Sequence, residues 1–123
     1  MKNLLLISLV LILLDQITKF YFPGITNTGG AFGILKGLNL VFIVVSFLVL
    51  GFVFYYLKKT NKYEFVLIFS GTIGNLIDRL FFGHVRDFID LKIWPVFNLA
   101  DVYNTIGVFL IIFYLLKEKK AYM

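Results

Sequence analysis

The stretch HVRDFIDLKIWPVFNLAD, His84 to Asp101, holds three carboxylates, Asp87, Asp90 and Asp101, in a chain with only seven acidic residues. Paired carboxylates can hydrolyse an amide without a metal or a covalent nucleophile. One, ionised, takes a proton from water, while the other, neutral, donates to the carbonyl or the leaving amine. Like-charge repulsion keeps such a pair singly protonated over a working range. Other chemistries are poorly supplied. The chain has no cysteine, hence no disulfide, thiolate metal site or cysteine nucleophile, and its single histidine, His84, cannot alone build a metal centre. Ser8, Ser46 and Ser70 lie within apolar runs, away from any obvious base. The residue types leave open which two of the three aspartates form the pair.

Other polar residues recur where apolar ones are expected. Asp15 and Lys19 are four apart and share a helix face, and Asn75, Asp78 and Arg79 share another at i, i+3 and i+4. Asn98 stands just before Asp101. Ionisable groups inside membrane spans are expensive and mark sites or pathways. Plainer roles exist for each. Asp15 and Lys19 suit a structural ion pair, Arg79 suits snorkelling to an interface, and Asp101 suits a helix N-terminus. Asp90 and His84 read most simply as exposed loop residues.

The elements that position these groups are membrane helices. At 60% hydrophobic and 19% aromatic residues, the 123-residue chain lies far outside the composition of a soluble domain. Four spans, at about 4–21, 38–57, 64–82 and 99–116, nearly exhaust its length, so residues 1–123 are expected to form a single integral-membrane domain. The second span is the clearest: LNLVFIVVSFLVLGFVFYYL runs twenty residues without a charge. After the first span, PGITNTGGAFGILKG, with five glycines, reads as a loop or a small strand unit. The expected fold is therefore all-α, four transmembrane helices, with a small extracytoplasmic β or loop element after the first and an extracytoplasmic loop between the third and fourth.

Charge sets the orientation. Lys2, Lys58, Lys59, Lys62, Lys117, Lys119 and Lys120 fall on one side of a four-span chain, and Lys36, Arg86 and Lys92 on the other. The excess predicts cytoplasmic termini and a polar layer at the outer face. Because the basic residues flank apolar blocks, the net charge of +5 reports topology, and no nucleic-acid partner is expected. Lys2 and the apolar run Leu4 to Leu14 also fit a cleavable signal, but Asp15, Gln16 and Lys19 stand where a small-residue cleavage site belongs.

Four segments in order, DQITK (Asp15 to Lys19), NTGGAF (Asn27 to Phe32), GNLIDR (Gly74 to Arg79) running on to VRDFID, and FNLAD (Phe97 to Asp101), resemble the sequence blocks of lipoprotein signal peptidase, the type II signal peptidase. The resemblance implies an aspartic endopeptidase of the bacterial cytoplasmic membrane. Such an enzyme removes signal peptides from diacylglyceryl-modified prolipoproteins on the amino side of the lipidated cysteine. It implies Asp87 and Asp101 as the catalytic dyad, and Asn27, Gly29, Asn75, Arg79 and Asn98 as residues that line or shape the substrate site, with Arg79 and the asparagines donating to substrate carbonyls. Asp15, Lys19 and Asp78 become supports of the site, Asp78 by pairing with a neighbouring cation, and Asp90 a bystander. It further implies no metal and no cofactor, membrane lipids as surroundings, a monomer, and sensitivity to cyclic-peptide inhibitors of the globomycin type. Two departures stand out: the chain is short for the family, and Gly30 occupies a place where alanine is frequent. A small four-span transporter and a non-enzymatic membrane adaptor are the alternatives. A transporter calls for a charge near the middle of a span, and an adaptor needs no convergence of Asn, Asp and Arg.

Overall fold

The computed structural model describes residues 1–22, 24–27 and 37–123. Four helices, α1 (Lys2–Tyr21), α2 (Asn39–Thr60), α3 (Tyr63–Phe82) and α4 (Leu99–Ala121), are each long and apolar enough to cross a membrane. They coincide with the four expected spans. α4 runs on through KEKK because lysine and glutamate are good helix formers and cations suit the negative end of a helix.

Helix α3 is the hub and packs on all three others. Ten of its twenty residues are buried, against four in α1 and three each in α2 and α4. The outer helices turn side chains such as Leu6, Leu40, Leu48 and Phe109 outward, as suits a lipid surround. Lipid removes the hydrophobic drive between helices, so close backbone approach and interhelical hydrogen bonds must join them. A Cβ on Gly71 would strike the Ala100 carbonyl oxygen, and one on Gly107 would strike Ile68 and the Glu64 carbonyl, so both glycines set the α3–α4 spacing. Ser70 Oγ lies 2.8 Å from Ser8 Oγ and ties α3 to α1. Leu4, Leu57 and Val66 form a small apolar core near the lysine-rich end, flanked by Leu11 and Phe65.

Only Asn61 and Lys62 separate α2 from α3. Asn61 closes α2 in the left-handed conformation (φ 53°), and Lys62 returns the chain in an extended one.

At the opposite end, β1 (Ile25–Asn27) pairs antiparallel with β2 (Val85–Asp87), with Ile25 across from Asp87. The element expected after the first helix thus includes a strand, and its partner comes from the segment read as a loop between the third and fourth spans. Gly24 lies so close to the Asp87 carbonyl that any Cβ there would collide with it. Beyond β2, Ile89 N donates to Phe97 O at 2.8 Å and Phe97 N donates to Ile89 O at 3.1 Å. This clasp throws residues 90–96 outward as a loop and returns the chain to the start of α4, folding Asp87 and Asp101 toward one another in space.

Candidate active site

Helix α4 begins in a reciprocal cap. Asp101 N donates to Asn98 Oδ1 at 2.9 Å, and Asn98 N donates to Asp101 Oδ2 at 3.1 Å. The motif satisfies backbone donors that a helix start leaves open. Both side chains reach further. Asn98 Nδ2 donates to Asp87 Oδ1 at 2.8 Å and to Asn75 Oδ1 at 3.0 Å, while Asn75 Nδ2 donates to Asp101 Oδ1 at 2.9 Å. Two asparagines, from α3 and from the cap of α4, therefore link a carboxylate on β2 to one on α4. Their amides are committed to holding Asp87 and Asp101.

Behind this bridge lies an ionic cluster whose centre, Asp15, Lys19 and Asp78, is fully buried. Lys19 Nζ meets Asp15 Oδ2 at 2.8 Å and Asp78 Oδ2 at 3.2 Å, and also donates to Asn75 Oδ1 at 3.2 Å. Arg86, on β2, grips Asp78 with its backbone N–H (2.9 Å), Nε (3.2 Å) and Nη2 (2.9 Å). Gln16 sits between them. It donates to Asp78 and to the Gly74 carbonyl, and accepts from Arg86 at 2.8 Å. Asp15 Oδ1 accepts the Ala100 N–H at 2.9 Å, so α1 also helps to cap α4. Buried charges are tolerable when paired and hydrogen-bonded in this way. The cluster pins α1, α3, β2 and the first turn of α4 together.

Asp87 and Asp101 open onto one cavity of about 270 Å³, whose wall includes Asn75, Arg79, Asn104 and Trp94. An adjoining cavity of about 280 Å³ shares Asp101, Trp94, Phe97 and Thr105 and is otherwise lined by the apolar Leu91, Val102 and Ile106. The Arg79 guanidinium lies 5.0 Å from the Phe42 ring centre, within cation–π range. Its Nε is buried with no hydrogen-bond partner among the described residues. Arg79 is thus a cationic group on the cavity wall that the two carboxylates share.

The third aspartate is set apart. Asp90 accepts the Lys92 N–H at 2.9 Å and pairs with the Lys92 ammonium at 3.1 Å on the exposed loop. The Lys92 backbone N–H, and then its side chain, hold the Asp90 carboxyl below the usual carboxylate range. It lines neither cavity.

Of the other residues singled out in the sequence, Asn27 lies on β1 opposite Val85, and Gly29 falls outside the described residues. His84 rests half-buried against Phe82. Gln16, Arg86 and Asn104 took no part in the sequence reading of the site. Gln16 carried a usable signal, as an uncharged polar residue inside an apolar span next to Asp15, whereas the place of Arg86 depends on a strand too short to show periodicity.

Comparison with known proteins agrees with this arrangement. Residues 20–117 match the family model described as signal peptidase (SPase) II. The chain is 40% identical to a lipoprotein signal peptidase of Halothermothrix orenii, covering 94% of this chain and 97% of the relative. It is 37% identical to that of Streptococcus pyogenes, covering 96% of each. Those alignments extend over 140 and 146 positions, more than the 123 residues here, so the relatives carry segments that this chain lacks. A solved bacterial membrane enzyme superposes with a TM-score of 0.87 at 33% identity, covering 97% of this chain and 90% of that one. A second gives 0.80 at 32% identity, covering 95% and 94%. With four span-capable helices and relatives of this kind, the protein is a multi-pass bacterial membrane protein, and it belongs to the signal peptidase II family of aspartic-type proteases.

Proposed function

We propose that this chain is an intramembrane aspartyl endopeptidase that removes signal peptides from diacylglyceryl-modified prolipoproteins, cleaving on the amino side of the lipidated cysteine, with Asp87 and Asp101 as its catalytic dyad. The observation that carries the reading is the shared cavity wall. Two aspartates from separate elements open onto one space, held by the Asn75–Asn98 bridge. In the reaction, the ionised carboxylate takes a proton from water as the water oxygen bonds to the scissile carbonyl carbon. The protonated partner gives its proton to the amide nitrogen, the C–N bond breaks, and the products are a signal peptide with a new carboxyl end and a lipidated cysteine with a free amine. Arg79, on the wall of the same cavity, donates in this reading to the oxygen on which negative charge develops. Asn75 and Asn98 act on the substrate only through the dyad that they orient.

The lysines give the orientation. Lys58, Lys59 and Lys62 and the basic end of α4 belong inside, which puts the cavity and the β1–β2 pair at the outer face. A lipidated substrate can then reach the site by diffusing in the bilayer, with its acyl chains still immersed. Exposed Ile93 and Trp94 on the 90–96 loop suit contact with the headgroup layer.

A gel-shift assay in lipid with a diacylglyceryl prolipoprotein tests the reading. The parent protein should release the signal peptide, while Asp87→Asn and Asp101→Asn should each cut turnover by roughly a thousandfold or more; cleavage intact in both variants overturns the dyad. Turnover should survive EDTA, since the carboxylates carry the protons, and metal-dependent rescue after chelation contradicts the mechanism. Lys59→Cys and Lys92→Cys should label from opposite sides of the membrane; same-side labelling breaks the topology.

A further inference from the structure

We infer that Asn104 is a substrate-binding residue that pairs with the peptide backbone of the signal peptide just before the scissile bond. The inference rests on the proposed endopeptidase function and names a contact within that site. Asn104 stands on α4 three residues after Asp101 and lines the same cavity as the dyad. At a helical rise of about 1.5 Å per residue it lies roughly 4.5 Å further along the helix, toward the membrane interior in the proposed orientation. The signal peptide occupies that direction from the cleaved bond, because the mature chain leaves outward.

The side chain has no structural employment that explains its polarity. Its Oδ1 is turned against Gly71, buried with no hydrogen-bond partner among the described residues, while the residue borders the cavity, so that rotating the carboxamide turns an unsatisfied acceptor toward a bound peptide. A buried polar atom left unpaired in a lipid-embedded bundle is costly and marks a function. Leucine has the same branched skeleton, with more bulk and no such cost, and the same helix uses Val102 and Ile106 on the adjoining cavity.

The carboxamide also selects among the parts of the substrate. It offers one acceptor and two donors, the complement of a backbone amide with its N–H and C=O. The diacylglyceryl group offers ester acceptors and apolar chains but no donor, so Oδ1 has nothing to accept from it. Those chains suit the apolar cavity bounded by Leu91, Val102 and Ile106 instead.

The test is a double-mutant cycle in lipid between enzyme and substrate. Parent protein, Asn104→Leu and Asn104→Ala are assayed on a diacylglyceryl prolipoprotein peptide, and on versions in which each of the three backbone amides before the cleaved bond is replaced in turn by an ester. On the all-amide substrate both variants should lower kcat/KM roughly tenfold, the size of one lost hydrogen bond, mainly through KM. At one ester position the parent should fall by a similar factor, and the gap between parent and variants should shrink to less than about twofold. Equal losses on every substrate would assign Asn104 to packing and overturn the inference, as would unchanged kcat/KM in both variants. Absence of cleavage by the parent would instead remove the endopeptidase reading, and this contact with it.

Discussion

Asp78 and Asp101 belong to one polar layer, yet their surroundings differ in kind. Asp78 is fully buried between two cations, Lys19 at 3.2 Å and Arg86 at 2.9 Å. Asp101 is half-buried, makes no ion pair among the described residues, and receives N–H groups from Asn75 and Asn98 while opening onto the cavity. A carboxylate locked between cations has both oxygens taken up in ion pairs. One held by neutral amides keeps its geometry and still faces the cavity. In the proposed mechanism the same residue type thus serves as mortar in one place and as a reagent in the other, and the partners, not the aspartates, decide which.

Asp101→Asn and Asp78→Ala are the sharpest way to break this contrast. Asp101→Asn should remove at least about a thousandfold in turnover, with its thermal unfolding midpoint in detergent close to the parent's. Asp78→Ala should do the reverse in kind, lowering unfolding free energy by about 3–5 kcal/mol because Lys19 and Arg86 lose the carboxylate they share and Asp15 alone is left to balance the buried Lys19. If Asp101→Asn unfolds the protein, or Asp78→Ala leaves its stability untouched, the division of labour is wrong.

Much of this contrast was legible beforehand, and the boundary of what was not has a physical cause. The four helices announce themselves through length and apolarity, because a span must satisfy its backbone internally over a fixed thickness. The spacing of Asp15 with Lys19, and of Asn75 with Asp78 and Arg79, put each set on one face of its helix. What could not be read is pairing across long separations. Gln16 meets Arg86, and Asp15 meets Ala100, only because α1, β2 and α4 converge, and nothing local encodes those contacts. The three-residue strands are too short for an alternation to be recognised. Asn75 and Asn98, expected to face substrate, have their amides engaged with the two carboxylates, which a spacing pattern cannot distinguish.

Smaller effects refine the comparison. Asn98→Ala loses a helix cap, worth about 1 kcal/mol, together with the N–H that holds Asp87. Its turnover should fall by roughly ten- to a hundredfold through kcat, a larger loss than the stability change explains. A purely proportional loss of folded protein and activity would reduce Asn98 to a cap. Asp90→Asn should be nearly silent. The folded-state value of its carboxyl is depressed by Lys92, so whatever it contributes is present above the ordinary aspartate range and is lost as pH falls through the lowered value. Any small stability difference between parent and Asp90→Asn therefore belongs above about pH 5 and closes as pH falls, whereas their turnover should coincide because Asp90 lines neither cavity; a full loss of turnover would move the catalytic assignment to Asp90.

The two-residue connection at Asn61 and Lys62 carries a consequence for how the protein is made. So tight a turn leaves α2 and α3 no slack to enter the bilayer independently. In their most apolar stretches, α3, with Asn75, Asp78 and Arg79 near its far end, is the least apolar of the four helices and α2 the most. Inserted as a joined hairpin, α2 supplies the partitioning energy that α3 lacks, and the polar helix that organises the site reaches the membrane as its neighbour's passenger.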